Sequence, residues 1–242
     1  MELIFEELDY QETPLGAISL RRRSEPRLDN LLIYEVKLGD EFLMSSLFVE
    51  AEEQLSTLAL AALAKNNHDY ELEIVVGGLG LGYTALTALN HSSVKKVRTI
   101  DVMLPVISWH EQGLIPIGNV LAKDPRSELI HGDFFAIAQD QNSLGFIDQQ
   151  KVHGVFLDID HSPSHWLNSG NESFYALESL QTMTAKIHSG GVFGLWSNEA
   201  PDENFESLLE QAFSQVESHT IEFPNPYSGK SSINSVYIGI VG

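Results

Sequence analysis

The chain contains no cysteine. That excludes disulfides, thiolate zinc sites and a cysteine nucleophile, and it fits a reducing compartment. Basic side chains are scarce: 14 Lys and Arg stand against 34 Asp and Glu, a formal net charge of −20. Phosphate-backbone binding needs a basic surface, so no nucleic-acid partner is expected. No apolar run approaches the roughly 18 residues of a membrane span, so no membrane partner is expected either. The opening MELIFEELDY is acidic and lacks the basic-then-apolar order of a signal peptide. The expected location is therefore the cytoplasm. A strongly negative field attracts cationic substrates, but it serves solubility equally well. The single basic run, Arg21-Arg22-Arg23, reads as the solvent face of a hairpin.

What is present suffices for a core. The chain has 242 residues, 43% of them hydrophobic, enough for one medium domain with a small appendage. Residues 1–46 read as β-hairpins over Leu3–Leu8, Gly16–Arg22 and Leu31–Leu38, with turn signals at Thr13–Gly16, Glu25-Pro26 and Gly39-Asp40. From Leu47 to Ala64 the pattern becomes helical, and Asn66-Asn67-His68-Asp69 closes it. Strands and helices then alternate. Strands are expected at Glu73–Val76, Lys96–Ile100, Ser127–His131, Gly154–Leu157 and Gly191–Trp196. Helices are expected at Thr84–Leu89, Val106–Gln112, Phe134–Asp140, Phe174–His188 and Glu203–Ser214. Two strands, His219–Phe223 and Ser235–Val241, follow with only a turn-rich loop between them, so they pair antiparallel. The expected fold is α/β, with a mainly parallel seven-stranded sheet covered on both faces and an antiparallel C-terminal hairpin. Five βα units followed by a hairpin is the order of the Rossmann-like S-adenosylmethionine-dependent transferase fold. The expected domains are a small β region over 1–46 and an adenosyl-ligand-binding catalytic domain over 47–242.

Ligands of such sheets bind beyond the carboxyl ends of the strands, where strand order reverses, and four strand ends carry the candidates. The first is Val75-Val76-Gly77-Gly78-Leu79-Gly80-Leu81-Gly82, a turn in which Gly78, Gly80 and Gly82 let the backbone approach a nucleotide closely. Asp101 ends the next strand, about 20 residues on, where a carboxylate can accept both hydroxyls of a ribose; capping the following helix is the alternative. Asp133, in Gly132-Asp133-Phe134, can accept from an adenine amino group with Phe134 beside the ring, or serve as an N-cap. The fourth end, Leu157-Asp158-Ile159-Asp160-His161-Ser162-Pro163, puts two carboxylates and a histidine at the mouth of the cleft. Buried charge is costly without a partner or a task, so Asp158 and Asp160 are the candidates to hold an ammonium and accept its proton. The alternative is that they shape a loop. His161 and His165 have metal-ligand spacing, but Pro163 between them opposes a helix, and no metal is expected. Trp109 either walls the adenosine site or belongs to the core. Glu199 and Asp202 either add charge to the rim or cap the helix beginning at Glu203.

Together these residues resemble the spermidine synthases, the polyamine aminopropyltransferases, over about residues 31–200. The likeness is carried by the glycine turn, Thr99-Ile100-Asp101, His131-Gly132-Asp133, Phe156-Leu157-Asp158 and Ser189-Gly190-Gly191-Val192-Phe193. The β-rich start resembles that family's small N-terminal domain, with Lys37–Ser46 where the family has a hairpin contacting the active site. The resemblance implies decarboxylated S-adenosylmethionine as the ligand, Asp101 at the ribose, Asp133 at the adenine and Asp158 as the base toward an attacking amine. It also implies a small-molecule amine partner such as putrescine, and a homodimer formed through the N-terminal region. Three elements differ from the family. Asp101 is one methylene shorter than its usual glutamate. Its Tyr-His-Glu triplet is replaced by Ala51-Glu52-Glu53, keeping only the glutamate. Its second aspartate, followed by proline, is displaced in Asp158–Pro163. Two other functions fit the same fold: a small-molecule methyltransferase using S-adenosylmethionine, and a non-catalytic adenosyl-ligand-binding relative. No Asn-Pro-Pro-Tyr or Asp-Pro-Pro-Tyr element is present, which disfavours amino-methylation of bases.

Overall fold

A computed structural model describes residues 3–66 and 71–242; Asn67, His68 and Asp69, expected to close the first helix, lie outside the described residues. In chain order the first strands are β1 (Phe5–Thr13), β2 (Gly16–Glu25), β3 (Leu31–Leu38) and β4 (Glu41–Ser45). They form an antiparallel meander in that order. β4 was not expected from its own sequence. It is held by its partner strand, with Val36 opposite Met44 and a bulge before Lys37.

The basic run is not a solvent face. Alternation along β2 points Arg21 and Arg23 to one side, where their Nε atoms donate to the buried Glu35 at 2.6 and 2.9 Å. Arg23 also pairs with Glu25 at 2.8 Å and donates to the Tyr227 hydroxyl at 2.7 Å. Arg22 points the other way, to Glu6. An inward carboxylate on the neighbouring strand drew two of the three charges off the surface.

After α1 (Glu50–Asn66) the chain alternates as expected. Its elements are β5 (Leu72–Gly77), α2 (Tyr83–Leu89), β6 (Val94–Asp101), α3 (Leu104–Glu111), α4 (Gly118–Lys123), β7 (Ser127–His131), α5 (Phe134–Gln139), β8 (Val152–Leu157), α6 (Leu177–Thr184), β9 (Ile187–Ser197), α7 (Glu203–Ala212), β10 (Gln215–Asn225) and β11 (Lys230–Ile240). The short α4 is additional. The expected helix Phe174–His188 is cut at both ends: 169–175 form a 3-10 segment, and Ile187 already pairs with Val152 in the sheet. The larger sheet has the order β10-β11-β9-β8-β5-β6-β7. β5 pairs parallel with both β6 and β8, whereas β11 is antiparallel to β9 and β10. No described helix is long and apolar enough to cross a membrane.

Period-two alternation makes β5 apolar on both faces. Ile74 and Val76 join one core cluster with Leu55, Trp109 and Phe156, while Val75 joins the other with Phe134, Phe174 and Phe193. Ile18, Leu20 and Val36 of the first sheet belong to the former cluster, so apolar packing holds the two sheets together. Trp109 is fully buried and donates from Nε1 to Asp9 at 2.6 Å, which makes it core, tied to β1. Strand order reverses at β5, so the sheet opens a crevice beyond Gly77 and Leu157.

Candidate active site

The glycine turn lies in that crevice. Gly78 has φ +92°, and a Cβ there would stand 2.1 Å from the carbonyl oxygen of Asp158. Only glycine lets the ends of β5 and β8 come this close. Gly80, at φ +48°, faces the thioether of Met44: an added Cβ would lie 2.6 Å from its Cε. The Leu81 amide is directed at the Met44 sulfur at 3.1 Å. Gly82 packs toward Leu121 and His110. Burial pushes the His110 imidazole down to about 4, so it is neutral at pH 7, and its Nε2 donates to the Gly80 carbonyl at 2.8 Å.

Asp101 accepts from the Leu79 amide through Oδ2 at 2.9 Å and from the Met103 amide through Oδ1 at 2.7 Å. It therefore ties the glycine turn to the start of α3. Burial raises its pKa, and these amides oppose the rise. Each carboxylate oxygen keeps a lone pair for a further donor. Asp133 is exposed and caps α5, accepting from the Ala136 amide at 3.1 Å through Oδ1. Phe134 is buried and stacked on Phe146 at 5.7 Å, yet it contributes to the cavity wall. Asp101, Asp133, Phe134, Gly78 and Gly80 all line one cavity of about 230 Å³.

A second cavity of about 440 Å³ adjoins it, and Leu43, Met44, Gly80, Asp158, Ile159 and Leu167 line both. Asp158 stands at this seam. Its Oδ2 accepts from the Thr84 hydroxyl at 2.7 Å, and burial pushes its pKa up to about 6. Glu52 also lines the larger cavity. Burial first, then the neighbouring Asp158 carboxylate, push it well above the usual carboxylate range. Two carboxylates in one partly dry site cannot both ionise cheaply, so the pair retains a proton more readily than either group alone.

Asp160 is not brought to either cavity. It is buried, accepting from the Leu167 amide and the Asn171 side chain at 2.8 Å and from the Tyr175 hydroxyl at 2.9 Å. Its oxygens clamp the loop after β8. His161 reaches the larger cavity and pairs with Glu41 at 2.7 Å; His165 and Glu199 lie 3.3 Å apart. Asp202 caps α7 through the Asn204 amide at 2.8 Å.

Glu52, Tyr83, Thr84 and Met44 escaped sequence reasoning. For Glu52 a signal existed: it shares the helical stripe of Leu55, Ser56, Ala59 and Leu63, all buried, whereas Glu53 is exposed. An acidic residue on an apolar stripe asks for a partner.

The strand order and the crevice are those of the Rossmann-like fold shared by S-adenosylmethionine-dependent transferases. No protein-family model matches the chain. Polyamine aminopropyltransferase 2 of Pseudomonas aeruginosa is 24% identical over 212 residues, which cover 82% of this chain. The match spans 57% of that relative's length. A spermidine synthase in complex with the transition-state analogue AdoDATO superposes with a TM-score of 0.69 at 16% identity, over 98% of this chain and 72% of its own. Spermidine synthase from Thermotoga maritima gives 0.68 at 16% identity, over 98% and 73%. Human methyltransferase-like protein 13 in complex with SAH gives 0.58 at 16%, over 77% and 82%. The resemblance to spermidine synthases therefore holds in sequence and in fold, and it extends through the N-terminal sheet.

Proposed function

We propose that the chain is an aminopropyltransferase. Its donor substrate is decarboxylated S-adenosylmethionine, and its acceptor is a small amine. The adenosine half would occupy the 230 Å³ cavity, with Asp101 accepting from the ribose hydroxyls and Asp133 from the adenine amino group. The sulfonium would then fall at the seam beside Gly80. The amine enters the 440 Å³ cavity. Its nitrogen lone pair attacks the propyl carbon next to sulfur. The C–N bond forms as the C–S bond breaks, sulfur keeps the electron pair as a neutral thioether, and the proton leaving nitrogen passes to Asp158. A base poised near 6 suits this transfer better than an ordinary aspartate, being ionised at pH 7 yet closer to neutral pH. Thr84 orients that carboxylate, and Asp160 acts as a positioning residue through its loop. Alignment of nucleophile and carbon supplies much of the rest.

The observation that carries this reading is the neighbouring carboxylates Glu52 and Asp158, with Asp158 at the point where the two cavities meet. Protein incubated with decarboxylated S-adenosylmethionine and a panel of amines should release methylthioadenosine. Absence of release with every amine would overturn the reading.

Small-molecule methyl transfer is favoured by one observation, the likeness to a methyltransferase bound to SAH. The roomy cavity beyond Asp158, about 440 Å³, favours aminopropyl transfer instead. Calorimetry separates them: the proposed enzyme binds decarboxylated S-adenosylmethionine more tightly than the carboxylated form, and the opposite order supports methyl transfer.

A further inference from the structure

The acceptor cavity is one-sided in charge. We propose that its acceptor carries a single ammonium and ends in a neutral hydrogen-bonding group, an amide or hydroxyl, rather than being an unmodified diamine. This rests on the aminopropyl-transfer reading and narrows its substrate.

Among the described residues only two carboxylates line the 440 Å³ cavity, Glu52 and Asp158, and they lie together. Thr84 joins them, its hydroxyl lying 2.7 Å from Asp158 Oδ2 and 3.3 Å from the Glu52 carbonyl oxygen. Because the pair tends to hold a proton, it offers roughly one negative charge to one ammonium. The rest of the wall comes from other segments and carries no further carboxylate; its one histidine, His161, pairs with Glu41 at 2.7 Å. Asn198 follows β9, and Asn225, Ser232 and Asn234 lie on the β10–β11 hairpin. Asn225 is already engaged, donating to Ser232 at 3.0 Å and accepting from the Tyr227 amide at 2.9 Å. The amides of Asn198 and Asn234 make no side-chain hydrogen bond among the described residues and remain for a ligand. Phe42, Phe48 and Phe223 add apolar wall that suits methylenes.

Nearby acids do not supply the missing charge. Glu41 is paired with His161 and Glu199 with His165, and neither acid lines the cavity. A second ammonium would leave water for amides and phenyl rings with no counter-charge, which is costly. An amide or hydroxyl tail would instead exchange hydrogen bonds with Asn198 and Asn234.

The test compares putrescine with N-acetylputrescine on the intact chain. Amine binding is measured by calorimetry in saturating methylthioadenosine, and turnover by methylthioadenosine release from decarboxylated S-adenosylmethionine. N-acetylputrescine should bind at least 10-fold more tightly, and Asn234→Asp should move the ratio at least 10-fold toward putrescine. Asn198→Asp, in a loop, gives the same shift and covers the case in which the strand variant fails to fold. Tighter binding of putrescine, binding of neither amine, or a ratio unmoved in the folded variants would overturn the inference. Faster turnover of putrescine sinks the acceptor assignment but leaves aminopropyl transfer standing. The expected binding order without any turnover sinks the transfer reading alone.

Discussion

The two halves of the cleft are built differently. The nucleoside half is assembled from consecutive strand ends: a glycine turn, Asp101 and Asp133, with much of the bonding between side chains and nearby backbone amides. The acceptor half draws on remote segments. β4 brings Met44, α1 brings Glu52, the end of β8 brings Asp158 and β11 brings Asn234. A half built on local backbone geometry tolerates little change of position, whereas a half built on side chains from separate elements can change its ligand residue by residue. The shared fold therefore speaks for the nucleoside, and the particular side chains speak for the acceptor.

The largest effect expected from disturbing this arrangement is on the acceptor side. Asp158→Asn should lower methylthioadenosine release by about 10²–10⁴-fold, the usual range for a positioned general base. The same change should stabilise the fold. The folded-state pKa of Asp158 is raised from 3.8 to about 6. The folded protein therefore binds its proton more tightly than the unfolded chain, and stability falls as pH rises between those values. Above pH 6 that cost is fully present, so at pH 8 the asparagine variant should be about 1–3 kcal/mol more stable in urea melts. Loss of activity with loss of stability would place Asp158 in the scaffold instead.

On the nucleoside side, Asp101→Asn should weaken methylthioadenosine binding by about 10–100-fold in calorimetry, through lost charge-assisted hydrogen bonds. Amine preference should stay unchanged. If the amine order shifts as well, the halves are not independent.

A smaller effect joins the halves. Thr84 hydrogen-bonds the charged form of Asp158 and so lowers its pKa. Thr84→Val should move the acid limb of the pH–rate profile upward by about 0.5–1 unit. Smallest is the tie between the β10–β11 loop and the N-terminal sheet. Tyr227→Phe removes the hydroxyl that donates to Glu25 at 2.9 Å and accepts from Arg23 at 2.7 Å. About 1 kcal/mol of stability should be lost, with catalysis nearly unaffected.

The same contrast decides what could be read from the chain. β5 and β8 were legible because apolar runs ending in glycine or aspartate are local signals. Asp101 and Asp133 were legible because a strand end fixes where they lie. β4 was not, since its pairing depends on β3 rather than on its own pattern. Arg21 and Arg23 misled because the carboxylate that draws them inward, Glu35, is far along the chain. Asp160 looked equivalent to Asp158, two positions away, and only the donors from Leu167, Asn171 and Tyr175 distinguish a loop clamp from a residue open to the cleft.

The central claim is that the coupled pair at the seam takes the proton of an attacking amine. The most direct measurement is the pH dependence of methylthioadenosine release from decarboxylated S-adenosylmethionine, for the unaltered chain and for Glu52→Gln. The account predicts a limb rising with pH through about 6 in the unaltered chain. Burial raises Asp158 and Glu52 keeps the pair's proton, so the limb should stay near 6 in Glu52→Gln, whose side chain is neutral as well. A limb near the ordinary aspartate value, or one that Glu52→Gln moves far from 6, would contradict it.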